Sequence, residues 1–333
     1  MEGSPKGFAY SVIIPAYNAE KTLGPCLEAL ASQTMAPEEY EVIVVDDGST
    51  DGTGDVAAAY YVHCVYQPNQ GPAAARNLGA RHAGGKVILF TDSDCIPAPE
   101  WIAEMVHPFE DLEVVAVKGA YKTKQTELAA RFAQMEFEDR YDLLTKSSSI
   151  DMIDTYSAAF RRDVFLAMGG FDQSFPVANN EDTDFSYRLA AAGCKMVFNP
   201  RAVVFHTHRS SLKQYLKMKF WRGYWRLIVY RRYPDKAMKD TYTPAVIKIQ
   251  TLLMAISLPI LFVSLFAPIF LIIVPVLWGT VAILALPFSI KAFRKDRMVG
   301  LLSPLIILLR SMVFAVGSLL GAVRSIAFPA AGQ

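Results

Sequence analysis

The chain has 333 residues, 52% of them hydrophobic and 20% charged, and a formal net charge of +1 at pH 7. Such a balance speaks against a dedicated nucleic-acid-binding protein, which is usually more basic, and the length allows one domain of about 200 residues with a substantial core beside other apolar segments. Cys26, Cys64, Cys95 and Cys194 make no Cys-x-x-Cys spacing, which excludes that redox or zinc motif and suits free thiols in a reducing compartment.

The first ten residues lack the apolar core of a signal peptide, so the amino-terminal part is expected to stay cytosolic. Three apolar runs then follow, each read as a buried strand closed by turn residues. Val12-Ile13-Ile14 ends in Pro15-Ala16-Tyr17-Asn18, Val42-Ile43-Val44-Val45 ends in Asp46-Asp47-Gly48-Ser49-Thr50-Asp51-Gly52, and Val87-Ile88-Leu89-Phe90 delivers Asp92-Ser93-Asp94. Residues 19–32, 51–60 and 72–83 read as helices between the runs. This alternation predicts an α/β fold with a mostly parallel sheet flanked by helices. The three strand ends would then share one edge, where open α/β sheets bind ligands, and Asn18, Asp46, Asp47, Asp92 and Asp94 could line one cleft.

Paired carboxylates after a buried strand suit a hard divalent ion, which keeps one or two protein carboxylates and fills its remaining positions with water and phosphate oxygens. A solvated turn uses the same residue types, although adjacent Asp46 and Asp47 repel unless water, a donor or a cation compensates them. No Gly-x-Gly-x-x-Gly follows the first strand, and Gly84-Gly85-Lys86 is followed by Val87, so dinucleotide and P-loop fingerprints are excluded. The loop from Asp47 resembles a calcium loop faintly, but its twelfth position is Ala58 where a bidentate Glu is needed.

Gly71-Pro72-Ala73-Ala74-Ala75-Arg76-Asn77 puts Pro just inside a helix start and Arg76 about one turn in, to meet phosphates, an acidic loop or a surface partner. Thr183 to Ala192 reads as a helix preceded by Asn179-Asn180 as capping and turn residues and ended by Gly193. Carboxylates at its start, Glu181, Asp182 and Asp184, either complement the helix dipole or do chemistry. His206 and His208 follow Val203-Val204-Phe205, and strand alternation would send both to one face.

Taken in order, Ser11 to Asn18 (SVIIPAYN), Val44 to Asp51 (VVDDGSTD), Gly71 to Gly79 (GPAAARNLG), Asp92-Ser93-Asp94 and Glu181-Asp182-x-Asp184 resemble the motifs of family 2 glycosyltransferases with the Rossmann-like GT-A fold, over roughly residues 8–210. The resemblance implies inverting transfer of a sugar from a nucleotide-sugar, a UDP-sugar before GDP- or dTDP-sugars, to a hydroxyl or phosphate. It implies a donor site of Pro15, Tyr17, Asn18, Asp46 and Asp47 near the base and ribose, with Arg76 toward the uridine or diphosphate. Asp92 and Asp94 would hold the ribose and Mg²⁺ or Mn²⁺, with His206 or His208 as a further ligand candidate. Asp182 would be the base, with Glu181 and Asp184 on the acceptor side. The chemistry agrees: a metal stabilises charge on a departing diphosphate without a general acid, leaving one base to deprotonate the acceptor.

Forty uncharged residues, Thr251 to Ile290, are about twice the roughly 20 that cross a bilayer, and Ala267-Pro268 divides them. Spans are expected at about 246–266 and 269–290. A third apolar stretch, 299–323, has Arg310 at its centre and reads as a span or a re-entrant segment. Arg231, Arg232, Lys236 and Lys239 precede the first span, and Lys291, Arg294, Lys295 and Arg297 follow the second, so both flanks are expected in the cytoplasm. Residues 211–244 mix bases with Tyr215, Phe220, Trp221, Tyr224, Trp225 and Tyr230, a composition for an amphipathic helix at headgroup level. The expected division is therefore a cytosolic domain over 1–210, an interfacial segment over 211–244 and a membrane region over 245–333, in a bacterial inner membrane, acting on a lipid-linked acceptor. Two other readings stand beside it. A processive polysaccharide synthase would carry Gln-x-x-Arg-Trp on the interfacial helix, where Leu216 to Phe220 has none of it, and a silent nucleotide-sugar-binding scaffold would not need Asp92, Asp94 and Asp182.

Overall fold

The computed structural model describes residues 8–60, 62–174, 180–238 and 241–327, apart from the side chains of 227, 228, 237, 238 and 325–327. Asn179 and Lys239, used above as a capping and a flanking residue, lie outside them. The chain divides into two compact units, residues 1–124 with 144–207, and residues 125–143 with 208–333. The range 1–210 expected for the catalytic domain is thus split, since 125–143 and 208–210 group with the carboxy-terminal helices.

Among the described residues, the first unit is built on eight strands: β1 (Tyr10–Ala16), β2 (Tyr40–Asp46), β3 (His63–Tyr66), β4 (Val87–Phe90), β5 (Cys95–Pro97), β6 (Val114–Lys122), β7 (Ala158–Arg161) and β8 (Lys195–His206), in sheet order β3-β2-β1-β4-β7-β6-β8-β5. β1 pairs in parallel with β2 and β4, β2 with β3, and β6 with β8, while β7 runs antiparallel to β4 and β6, and β5 antiparallel to β8. The three apolar runs lie at the sheet centre with Val12, Ile13, Ile14, Val44, Val45, Leu89 and Phe90 fully buried, which is why they are continuous rather than alternating.

Among the described residues, seven helices precede residue 208: α1 (Leu23–Ala31), α2 (Thr53–Ala58), α3 (Pro72–His82), α4 (Trp101–Val106), α5 (Leu128–Leu144), α6 (Arg162–Ala167) and α7 (Glu181–Ala191). All but α5 pack in the first unit. α3 lies very close to β1: a Cβ on Gly79 would come within 2.4 Å of Ile13 Cγ2, so glycine sets the distance between helix and sheet. Phe90, Phe160, Phe165, Phe171 and Phe185 form one aromatic cluster, with Phe165–Phe185 centroids 4.9 Å apart, that fixes α7 against the sheet.

The second unit contains α5 and then α8 (Leu212–Arg232), α9 (Pro234–Met238), α10 (Ala245–Val263), α11 (Ile273–Lys295) and α12 (Arg297–Ala327). Three segments, Ala245–Val263, Pro268–Lys295 and Arg297–Arg324, are long and apolar enough to cross a membrane. The first two are separated by residues 264–267, and the third is one continuous helix with Pro304 inside. The basic and aromatic α8 gives one face to α12. A Cβ on Gly223 would meet Phe314 O at 2.4 Å, one on Gly317 would meet Phe220 O at 2.2 Å and one on Gly321 would meet Tyr224 O at 2.4 Å. The two helices therefore touch backbone to backbone, the close approach that small residues permit between packed helices. Phe132 of α5 packs with Tyr215 of α8 and Phe288 of α11.

Candidate active site

Strand directions decide what meets. β1, β2, β3 and β4 are mutually parallel, and because β7 is antiparallel to both β4 and β6, β6 and its parallel neighbour β8 point the same way as β4. The carboxyl ends of β1, β2, β4, β6 and β8 and the start of β7 hence share one edge. This edge carries Tyr17 and Asn18, Asp46 and Asp47, Asp92 and Asp94, the Asp154 to Ser157 lead into β7, and His206.

At the ends of β1 and β2, Asn18 sits in the left-handed region with φ 49° and its Oδ1 accepts from Thr50 N at 2.9 Å, while its own N–H donates to Ser49 Oγ at 2.9 Å. Asp46 Oδ1 accepts from Ser49 N at 2.9 Å. Asp47 is buried and accepts from Gln67 Nε2, Gln70 N and Gly71 N at 2.6, 2.9 and 2.8 Å. Its carboxylate thus holds the loop that launches α3, and donors answer the like-charge problem of the adjacent pair. Pro15 is within β1 opposite Val45, and Tyr17 is exposed.

Arg76 is not at the surface. Only 4% exposed, it donates from one guanidinium nitrogen to Asp92 Oδ1 at 2.6 Å and from the other to Glu181 Oε1 at 3.1 Å. Burial works against its charge, but Asp92 and Glu181 outweigh burial and raise its pKa. Arg76 therefore ties the Asp92-Ser93-Asp94 loop to the start of α7.

Asp182 is half-buried on the first turn of α7 and accepts from Thr183 N at 2.7 Å. Burial first, then the carboxylates of Glu181 and Asp154, raise its pKa to about 7, against the opposing pull of the Thr183 N–H and Arg76. Asn180, with φ 75°, provides the turn into α7 but makes no side-chain cap, contrary to the capping expected there. Asp184, expected on the acceptor side, is buried and pairs with Arg188 at 3.0 Å, which in turn donates to Met168 O and Gly170 O.

Asp94 and His206 come together because Cys95 pairs with His206 across β5 and β8. Asp94 Oδ2 lies 3.1 Å from His206 Nε2, and ligand atoms of Asp94, Cys95 and His206 all fall within 4.8 Å of one another. Burial, then Asp92 and Asp94, push the Cys95 thiol well above its usual range, while Asp94 and His206 offer a carboxylate and an imidazole side by side. That pair fits a first-row divalent ion such as Mn²⁺. His208 has a different setting: β8 stops at His206, and His208 lies in the second unit with Nε2 3.0 Å from Gln134 Oε1 and its ring stacked on Phe137. Strand alternation accordingly does not extend to it.

Lys118, Asp154 and Tyr156 meet beside the start of β7 and were not anticipated from the sequence. Lys118 is fully buried in β6, ion-paired with Asp154, with its Nζ 5.0 Å from the centroid of Tyr156. The Tyr121 and His206 rings lie with centroids 4.7 Å apart and their planes tilted by 50°. The available signal was a lone lysine inside the apolar run Val114-Val115-Ala116-Val117 and beyond, where an unpaired charge would be costly.

Residues 11–169 match the family described as glycosyl transferase family 2, and the sheet has the GT-A arrangement. The chain carries a family 2 glycosyltransferase domain. It is similar to glycosyltransferase AglE of Haloferax volcanii, 28% identical over 205 residues that make up 60% of this chain and 67% of the relative. It is also similar to the validoxylamine A glucosyltransferase of Streptomyces hygroscopicus subsp. limoneus, 30% identical over 224 residues, 56% of this chain and 49% of the relative. The fold is shared with the mannosyltransferase PcManGT from Pyrobaculum calidifontis, solved in complex with GDP-Man and Mn²⁺, with a TM-score of 0.58 and 20% identity over 97% of this chain and 88% of that one.

Proposed function

We propose that the chain transfers a sugar from a nucleotide-sugar to a lipid-linked hydroxyl or phosphate acceptor at the cytosolic face of a membrane, with inversion at the anomeric carbon. A UDP-sugar is the first candidate donor, and the GDP-Man bound by PcManGT keeps GDP-sugars on the panel. The observation that carries the reading is the Arg76 bridge, which joins the Asp92–Asp94 loop to the helix start bearing Asp182.

The acceptor O–H gives its proton to the Asp182 carboxylate as its oxygen bonds the anomeric carbon; the bond from that carbon to the phosphate oxygen breaks, and the nucleoside diphosphate leaves with the electron pair. A base with pKa near the working pH is effective in such a step, and the raised proton affinity of Asp182 supports it. Asp94 and His206 would hold Mn²⁺ or Mg²⁺, and PcManGT was solved with Mn²⁺; a bound divalent ion neutralises charge on the diphosphate. Asn18, Asp46 and Tyr17 would line the nucleoside end, and Asp92 would orient the ribose while Arg76 holds it in place. The three candidate spans support a membrane-associated acceptor.

The test is nucleotide release by the full chain from UDP-, GDP-, CMP- and dTDP-sugars, with and without lipid extract. Release by one donor that depends on extract, with an inverted anomeric linkage in the product, is expected. A retained linkage, or release indifferent to extract, would refute the proposal.

A further inference from the structure

The second unit contains a polar centre that the sugar-transfer chemistry does not use. Glu136 of α5 is buried and has both oxygens engaged: Oε1 accepts from Arg310 of α12 at 2.7 Å, and Oε2 from Lys219 and Tyr215 of α8 at 2.7 and 2.8 Å. Arg310 also donates to Gln250 Oε1 of α10 at 2.6 Å. Four helices are thereby pinned around one carboxylate, at a cost in desolvation that only a complete set of partners offsets.

Beside this centre lies a cavity of about 340 Å³. Among its described lining residues, Arg140, Lys219, Arg222, Arg226, Lys248 and Arg310 are cationic and Glu136 alone is acidic. The rest of the wall is largely apolar, from Ile247, Leu252 and Ala255 of α10 and Phe314 of α12, two helices apolar enough to cross a membrane. Burial pushes the Lys219 ammonium down to about 7; Glu136 opposes this, and Arg140, Arg222 and Arg310 add to it. Several guanidinium groups around one space suit phosphate oxygens, which they bind through charge-assisted, often bidentate hydrogen bonds.

We infer that this cavity binds the phosphate group of an anionic lipid, with the head against Arg222, Arg226 and Arg140 and the hydrocarbon against α10 and α12. A free phosphate would match the cationic side but leave the apolar wall without a partner, so the two-faced lining selects an amphiphile. The inference deepens the lipid-linked acceptor reading above and rests on it for its biological meaning, while the binding itself can be measured alone.

The experiment uses the full chain in nanodiscs of neutral lipid and three probes: phytanyl phosphate, phytanol and inorganic phosphate. Phytanyl phosphate should bind and the other two should not compete at equal concentration. The doubly substituted Arg222→Gln, Arg226→Gln chain, which leaves the Glu136 network intact, should bind phytanyl phosphate at least about tenfold more weakly, the scale of one lost charge-assisted hydrogen bond. Ala255→Phe, which fills the apolar side, should weaken it too. Unchanged binding in both variants, or equal competition by inorganic phosphate, would overturn the assignment. Phytanyl phosphate bound here by a chain that transfers no sugar to any lipid would leave the cavity assignment standing and remove the acceptor reading.

Discussion

Arg76 and Glu181, 105 positions apart in the chain, meet at 3.1 Å with both side chains about 5% exposed. The guanidinium is shared with Asp92, so a single cation lies between two carboxylates from opposite halves of the site. Removing one partner from a buried ionic group costs about 3–5 kcal/mol because the remaining charge is stranded. Arg76→Met should accordingly lower thermal stability by an amount in that range and abolish transfer. Arg76→Lys should recover part of the stability but little turnover, because a compact ammonium on a shorter stem lacks the planar fork that spans Asp92 and Glu181. Differential scanning fluorimetry with a transfer assay reads both; a fully active Arg76→Met chain would remove the bridge from the mechanism.

Asp182→Asn should lower turnover on the order of 10²–10⁴-fold, the usual contribution of one general base, with donor affinity retained. Asp92→Asn should weaken donor binding instead. Calorimetric binding and single-turnover transfer separate the two effects, and equal loss of donor affinity in both variants would show that Asp182 is not the base.

The pH dependence has a definite sign. The base acts deprotonated, and the folded Asp182 carboxyl has its pKa raised to about 7, so transfer should fall about tenfold per pH unit below roughly 7 and level off above it. Because the Glu181 charge is one cause of the rise, Glu181→Gln should move the acidic limb to lower pH in whatever activity remains. A limb near pH 4 in the unsubstituted chain would contradict the raised value.

Metal dependence should follow Asp94 and His206 together. A chelator should abolish transfer, Mn²⁺ should restore it, and either Asp94→Asn or His206→Gln should raise the Mn²⁺ concentration needed by at least about tenfold. His208→Gln, whose ring lies against Gln134 and Phe137 in the second unit, should leave that concentration unchanged. Titration of activity with Mn²⁺ for the three variants decides it, and a His208 effect as large as that of His206 would be the contrary outcome.

Glu136→Gln should destabilise the second unit by about 3–5 kcal/mol, since Lys219 and Arg310 would face each other without their common carboxylate. Thermal unfolding in detergent measures this, and a variant as stable as the parent would show that the buried centre contributes nothing to folding.

The strand ends were legible because three apolar runs between helical stretches permit few topologies, and a shared edge follows from parallel pairing. Three helices long and apolar enough to cross a membrane were legible from length and charge alone. Asp154 and Lys118 were hidden because their meeting depends on β7 entering antiparallel between β4 and β6, a long-range pairing without a local signature. α5 was hidden for a similar reason. Its partners, Lys291 for Asp139 and Arg310 for Glu136, lie 152 and 174 positions away.

Gly79 gives the site an unexpected dependency. The residue touches no substrate in the proposed chemistry, yet it lies three positions after Arg76 on the same helix and lets that helix settle onto Ile13. A single methyl there would lift α3 from the sheet and carry the guanidinium with it, away from two carboxylates whose positions are set by other elements. Displacements of about 1 Å in positioning groups can cost on the order of 10²-fold in rate. The reach of Arg76 is thus set by an atom the chain does not have, and an alanine at position 79 would act as a catalytic lesion from the far side of the helix.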